Sequence, residues 1–318
     1  MAMFPKILLA LDGSMTAEAA IPYLTSLVRT DPPEEIVLLN VADSNTEMEV
    51  QAAKAYLQTV ANDLEAIWRK DEIPVPLLYT TVLTIGEPGE TDSQGRPRRI
   101  SRREIADAII RAARDSRVDL ICMTTNGWMG SDKWLLGLVA ENVLQKTECS
   151  VFLVHSDDYH PVTAPPRIDR ILVPLDGSEL AEQVLPIAEK IARQERSELM
   201  RLVYVLPPSE GAASRTVRPV LDFRPFPRGD VRHYLSSKAE NIEARGVPAE
   251  AGIRQGDPGR EIKADAVENG MSLIVLASNG RTGFSVKPYG KVADEVIHGT
   301  PVPVLFIRPK NVPVMALP

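Results

Sequence analysis

Two tandem doubly wound (Rossmann-like) α/β domains are the fold class this sequence predicts, each a mainly parallel five-stranded sheet with helices on both faces. Three observations carry that reading: a first segment that occurs twice, a second segment that recurs near the end of each half, and strand-length apolar runs that alternate with amphipathic stretches. Lys6-Ile-Leu-Leu-Ala-Leu-Asp-Gly-Ser-Met-Thr-Ala-Glu18 is answered by Arg170-Ile-Leu-Val-Pro-Leu-Asp-Gly-Ser-Glu-Leu-Ala-Glu182, and both segments then reach a proline, Pro22 and Pro186. Val118-Asp-Leu-Ile-Cys-Met-Thr-Thr-Asn-Gly127 is answered by Met271-Ser-Leu-Ile-Val-Leu-Ala-Ser-Asn-Gly280. A repeat of this length is far longer than a solenoid unit and marks duplicated domains. The chain length of 318 residues agrees, being about twice a usual domain.

In the first half the apolar runs Ile7–Leu11, Ile36–Val41, Leu77–Val82, Leu120–Met123 and Val151–Val154 have strand length. Between them Thr16–Arg29, Thr46–Lys70, Ser101–Arg117 and Lys133–Lys146 carry apolar residues at spacings of three and four, as amphipathic helices require. Alternation of this kind implies parallel strands covered on both faces. The second half repeats the order and ends on the run Val302–Ile307. A proline-rich stretch disfavours both helix and interior strand. On that basis the domains span 1–157 and 168–311, with a linker at 158–167 and a tail at 312–318. The insertions around Glu87–Arg99 and Pro207–Asp230 read as loops.

Hydrophobic residues make up 44% and charged residues 25% of the chain, the balance of a globular protein with sizeable cores. The net charge of -7 argues against a nucleic-acid partner, whose recognition rests on cationic contacts to phosphate. Arg96, Arg98, Arg99, Arg102 and Arg103 form one basic run, but Glu87, Glu90, Asp92 and Glu104 surround it, which favours a solvated loop. The apolar stretch Ile7–Leu11 is interrupted by Asp12 and is too short for a signal core or a membrane span. Cys122 and Cys149 have no metal-ligand spacing and His155, His160, His233 and His298 are scattered, so no metal site is expected. The expected compartment is the cytoplasm, with no membrane partner.

In an open parallel sheet, ligands gather at the carboxyl ends of the strands. Asp12 and Asp176 stand there, each able to accept hydrogen bonds from a sugar hydroxyl or to support a helix cap through Ser14 or Ser178. At the same edge Asn126-Gly127 with Gly130, and Asn279-Gly280 with Gly283, allow tight turns and close approach to phosphate. Gly137 and Gly290 follow at equal distance in the two copies, at the expected start of the next helix. The G-x-S-x-G elbow, the P-loop geometry and the G-x-G-x-x-G signature after the first strand are all missing, so a dedicated catalytic site has no sequence support.

These residues resemble the universal stress protein family over nearly the whole chain. Its nucleotide-binding members carry an Asp at the end of the first strand and the pattern G-x-x-G, nine residues, G-[ST]. The resemblance places Thr124, Gly127, Gly130 and Gly137 of the first half, and Ala277, Asn279, Gly280, Gly283, Gly290 and Lys291 of the second, around nucleotide phosphates. It places Asp12 and Asp176 toward the ribose, and Ala10, Val41, Pro174 and Val205 at the adenine end. The pattern's first glycine is Thr124 or Ala277 here, and its closing serine or threonine is Leu138 or Lys291. Losing one hydroxyl contact costs about 1 to 3 kcal/mol, roughly 5-fold to 150-fold in affinity. Lys291 offers an ammonium in its place, assisted by Arg281 and Lys287, unless it is simply a solvated surface lysine. Leu138 offers nothing, so the second half is expected to be the better site.

The resemblance implies ATP, or ADP or AMP, as ligand, with Mg2+ present only alongside nucleotide. It also implies that the two halves pair through their last strands, Ser150–His155 and Val302–Ile307, as an internal pseudo-dimer, with a homodimer of the full chain left open. Arg215, Arg218, Arg224 and Arg228 on the second insertion fit either a phosphate lid or an exposed loop. Three functions remain in order: a nucleotide-binding regulatory module, a ligand-free interaction protein, and an enzyme of the wider adenine-nucleotide α/β group, at most a weak ATP hydrolase.

Overall fold

The computed structural model describes residues 2–42, 46–86, 90, 100–125, 136–155, 165–206, 228–278 and 289–308. The first half runs β1 (Lys6–Ala10), α1 (Met15–Glu18), α2 (Ala20–Thr30), β2 (Glu35–Val41), α3 (Glu47–Lys70), β3 (Leu77–Leu83), α4 (Arg102–Asp115), β4 (Leu120–Thr124), α5 (Leu138–Lys146) and β5 (Ser150–Val154). The second runs β6 (Arg170–Pro174), α6 (Glu179–Glu182), α7 (Leu185–Glu195), β7 (Leu199–Leu206), α8 (Arg228–Glu243), β8 (Ala249–Gln255), α9 (Pro258–Glu268), β9 (Leu273–Ala277), α10 (Lys291–Ile297) and β10 (Val304–Ile307).

Each half contributes five parallel strands, in the orders β3-β2-β1-β4-β5 and β10-β9-β6-β7-β8. The two sets fuse into one ten-stranded sheet because β5 and β10 pair antiparallel, with Leu305 opposite Phe152. Leu9, Leu38, Cys122, Val173, Leu202 and Val275 point into the apolar layer on one face, under α2, α3, α7 and α8. Leu8, Leu39, Ile121, Leu172, Val203 and Ile274 fill the layer on the other, with α4, α5, α9 and α10. Burial on both faces is why the strands read as nearly continuous apolar runs rather than alternating ones.

The structure departs from the sequence reading in three places. The helix expected over Thr16–Arg29 is two helices broken at Ala19. Pro22 explains it: a proline lacks an N–H and its ring crowds the carbonyl four residues earlier, so a straight helix through it is disfavoured. Pro186 stands at the matching place in α7, and the second half breaks likewise between α6 and α7. The helix expected from Lys133 begins at Leu138, with Leu136 and Gly137 outside it. The loop expected over Pro207–Asp230 ends earlier, since Arg228–Asp230 are the first turn of α8; its remainder and most of 87–99 lie outside the described residues.

Beyond the strand pairing, the halves are tied by side chains. Ser26 donates to the Pro166 carbonyl at 2.7 Å and Lys190 reaches Asp31 at 2.7 Å. Arg308, just past β10, bonds the Ser150 hydroxyl through its backbone amide and the Leu144 carbonyl of α5 through its guanidinium, which stacks over Phe306. Burial holds the Arg308 guanidinium below the usual arginine range.

The halves differ most under α9. Arg201 on β7 grips Asp265, whose side chain is fully buried, through Nε at 2.7 Å and a second bond at 3.1 Å, and Glu250 and Arg254 extend the network. The hydrogen bonds to Asp265 raise the Arg201 pKa, against the opposing effect of burial. Register puts Val37 and Ala112 at the corresponding places of the first half. Gly252 admits the guanidinium, since a Cβ there would lie 2.6 Å from the Arg201 Nη2.

Breaking a buried ion pair by removing one partner strands the other charge, whereas removing both does not. Asp265→Ala is therefore expected to lower stability by about 3 kcal/mol in urea or guanidinium unfolding. Arg201→Val with Asp265→Ala, which copies the first half, should lose clearly less than that single change.

Candidate functional site

In each half the strand order reverses beside the first strand, between β1 and β4 and between β6 and β9. That is the switch point at which an open α/β sheet leaves a crevice at its carboxyl edge. Asp12 lies two residues past the end of β1 and Asp176 two past β6. Ser14 and Ser178 fix both carboxylates alike. The Ser14 amide donates to Asp12 Oδ1 at 2.9 Å and its hydroxyl donates to the same oxygen. The Ser178 amide and hydroxyl donate to Asp176 Oδ1 at 3.0 and 2.6 Å. Each serine Oγ in turn accepts from a first-turn amide, Ala17 or Ala181, at 3.1 Å. Gly13 and Gly177 make the turn possible with φ of 82° and 81°, a left-handed conformation that glycine adopts without Cβ strain. The two roles weighed for these aspartates thus act together: the serine caps the helix while holding the carboxylate at the rim.

Half-buried apolar side chains floor the rim. Ala10, Val41 and Val205 pack on the layer beneath α4 and α9, Ala277 packs on the opposite layer, and Pro174 is half-buried at the end of β6. Thr124 is buried at the end of β4. Asn279, Gly280 and Gly283, and Gly127 and Gly130 with Asn126, lie outside the described residues, as do Arg281 and Lys287. Gly137 and Gly290 are the N-caps of α5 and α10. Among the described residues no side chain caps either helix, whereas Ser14, Thr46, Ser101, Ser178 and Asp257 cap α1, α3, α4, α6 and α9. The first amides of α5, a helix of nine residues, thus find no side-chain acceptor among the described residues. Leu138 and Lys291, the first residues of the two helices, are both exposed.

Sequence reasoning missed a second pair of groups beside each aspartate. Tyr56 on α3 donates to Glu18 at 2.9 Å, and Tyr234 on α8 donates to Glu182 at 2.8 Å. Lys238 adds a contact to Glu182 and lies over the Tyr234 ring in the second half only. Burial raises the Tyr56 and Tyr234 pKa values, reinforced by the glutamate and by Asp12 or Asp176. The available signal was the glutamate that closes both copies of the first repeat. At the end of β4, Thr125 and the buried His155 approach to 3.3 Å, and Thr125 accepts the Gly137 amide at 2.7 Å through its carbonyl, tying the start of α5 back to the strand. Among the described residues no cluster of His, Cys, Asp or Glu is placed to hold a metal ion, and no helix is long and apolar enough to cross a membrane.

Paired switch points on a duplicated parallel sheet define a doubly wound α/β class, and comparison with known proteins gives the family. The model of the universal stress protein family matches residues 3–155 and again 167–308, so the chain belongs to that family, as a tandem member. The chain resembles the universal stress protein Sll1388 of Synechocystis, 31% identical over an alignment of 153 residues that covers 44% of this chain and 97% of that one. YxiE of Bacillus subtilis is 28% identical over 146 residues, covering 44% of this chain and 99% of its own. In fold, a universal stress protein from Archaeoglobus fulgidus superposes with a TM-score of 0.64 at 22% identity, covering 96% of this chain and 99% of that one.

Two predictions follow from the geometry of the rim. Gly290 has φ 94° and ψ 147°, whereas Gly137 has φ -67° and ψ 152°, an extended conformation open to any residue. Gly290→Ala is expected to cost about 1 to 3 kcal/mol, and Gly137→Ala under about 1 kcal/mol, in matched thermal melts. The tyrosines give a pH dependence. A folded-state pKa raised above the ordinary phenol value of 10.0 means that the folded protein keeps a proton which the unfolded chain gives up. Their contribution is complete below that value and is lost as pH climbs past it. Tyr56→Phe with Tyr234→Phe should flatten the alkaline fall of stability, measured by denaturant midpoints from pH 8 to pH 11.

Proposed function

We propose that this protein is a cytoplasmic regulatory module that binds an adenine nucleotide, ATP foremost, with the stronger site in the second half. The observation that carries the reading is the same constellation built twice at a switch point: a carboxylate held by its own helix cap, an apolar floor, and a glycine N-cap that opens the next helix. The carboxylate suits ribose hydroxyls, the floor suits a purine face, and the amides at a helix start suit phosphate. Asp176, Pro174, Val205, Ala277, Asn279, Gly280, Gly283, Gly290 and Lys291 would form the second site. Asp12, Val41, Thr124, Gly127, Gly130 and Gly137 would form the first. Mg2+ would enter only with the nucleotide phosphates.

The preference for the second half rests on charge and on burial. Lys291 sets an exposed ammonium where the first half sets Leu138, whose exposed side chain adds no donor. Asp176 is half-buried where Asp12 is exposed, which strengthens a hydrogen bond to sugar through the lower local dielectric. Leu138 is also what favours the second reading, in which the first half serves a protein partner and takes no ligand.

Titration calorimetry of the full chain with ATP, ADP and AMP tests both. One site with Kd near or below about 100 µM is expected for ATP. Asp176→Ala should weaken it by about tenfold or more, roughly the worth of one charged hydrogen bond, while Asp12→Ala leaves it in place. Lys291→Ala should weaken ATP more than AMP. An absence of heat above dilution in the unaltered protein removes the proposal and leaves the ligand-free interaction protein standing; multiple turnovers of ATP would move the assignment to an enzyme.

A further inference from the structure

A ten-stranded open sheet has two edges, here β3 and β8, and an edge strand offers unpaired backbone donors and acceptors to any other strand. The two edges are treated in opposite ways. Glu250 and Arg254 on β8 are tied into the Arg201 and Asp265 network, which places charge along that edge. β3, Leu-Leu-Tyr-Thr-Thr-Val-Leu, carries no charged side chain, no proline and no glycine. Register puts Tyr79 where the second half has Glu250, and Leu83 where it has Arg254. Leu77 is 61% exposed and Tyr79 48% exposed.

The backbone of β3 faces outward in a defined pattern. The Leu77 amide donates to Glu34 and the Leu83 carbonyl accepts from Ala42, so the odd-numbered residues bond inward toward β2. Leu78, Thr80 and Val82 therefore turn both N–H and C=O away from the sheet, since in a parallel pair these groups of one residue point to one side.

We propose that β3 is the homodimerisation edge of this protein, pairing antiparallel with β3 of a second copy about a twofold axis at Thr80. Under that axis Thr80 faces its own mate as a hydrogen-bonded pair, and Leu78 faces Val82 on either side. Leu77 then meets Leu83 and Tyr79 meets Thr81, each an exposed side chain against a half-buried one, pairs of apolar, aromatic or β-branched side chains that stabilise adjacent strands. An isologous contact needs a self-complementary patch, and this strand supplies one in backbone and side chain alike. The chain already uses the same join internally, where β5 and β10 meet antiparallel. The occupant is a second copy rather than an unrelated strand because every outward group of β3 finds its match in β3 itself.

Sedimentation velocity of the full chain from about 1 to about 200 µM reads the result, with a dimer dissociating in the micromolar range expected for an interface of modest area. Thr80→Pro removes one outward N–H without touching the bonds to β2, and should shift dissociation at least about tenfold. Tyr79→Glu with Leu83→Arg, which copies the guarded edge, should give a monomer. Circular dichroism melts confirm that both variants are folded. Thr80→Cys should link copies through a disulfide under mild oxidation, because paired α-carbons in a hydrogen-bonded position stand about 5.5 Å apart. Ala251→Cys, at the corresponding place on β8, should not. A monomer at the highest concentration overturns the proposal, and so does a dimer indifferent to both β3 variants or linked no better by Thr80→Cys than by Ala251→Cys.

Discussion

The antiparallel join of β5 to β10 sets most of what this chain can do. Parallel strands within each half fix where its carboxyl edge lies, and an antiparallel seam turns the second half over relative to the first. The two rims consequently open on opposite edges of one sheet. Asp12 and Asp176 cannot share a ligand, and whatever the two rims bind, they bind separately. The same seam consumes one edge of each half, so a tandem chain has two free edges where two separate domains would have four. Tyr23 edge-on to Phe152, and Tyr289 edge-on to Phe306, pack the join from its two faces. Strand pairing here is held by a continuous core and not by backbone bonds alone.

Duplication kept the frame and let the two halves diverge where the frame does not constrain them. The backbone path from first strand to capped helix is the same twice, down to the serine bonds on one carboxylate oxygen. Beneath α4 the first half is apolar, with Val37 at the place of Arg201, while beneath α9 the second half carries an ion network around a fully buried carboxylate. Such a pair tends to add little net stability over a well-packed apolar core, because two charges must be desolvated to make it. Its consequence lies at the sheet margin: the guanidinium that holds Asp265 also holds Glu250 on the outermost strand, so charge stays fixed along that margin. The first half has apolar packing at the same depth, and its margin is left apolar as well.

Much of this architecture was legible in the sequence, because a buried parallel strand leaves a strong apolar run and a duplicated chain lets each half check the other. The ends of the elements were less legible. Pro22 was visible and counted as part of the repeat, yet the break at Ala19 depends on a clash one turn earlier, which apolar spacing does not register. The extra turn of α8 at Arg228 was hidden by the glycine and proline around it. For the rim, the aspartates and their serines could be named from the repeated tripeptide alone. Tyr56 and Tyr234 could not, since each reaches its glutamate from a helix on the far side of the second strand, across 38 and 52 residues. A long-range bond of that kind leaves no local pattern, and the glutamates that mark it look like ordinary residues of a helix surface.

The closing glycines show how one motif comes to mean different things in its two copies. Gly137 sits in an extended conformation that most residues adopt, with Leu138 after it, so in the first half neither backbone geometry nor a donor side chain requires the motif to persist. Gly290 sits where a Cβ is strained, and the fully buried Tyr289 just before it is anchored to Asp294 at 2.7 Å. That anchor pins the chain at its entry into α10, so the turn cannot relax if the glycine is replaced. Strain of this kind survives only where the surroundings over-determine it. The constraint is therefore heavier on the second turn than on the first, which is the half where an ammonium also stands at the helix start. Backbone strain and charge, arrived at from different residues, fall on the same copy.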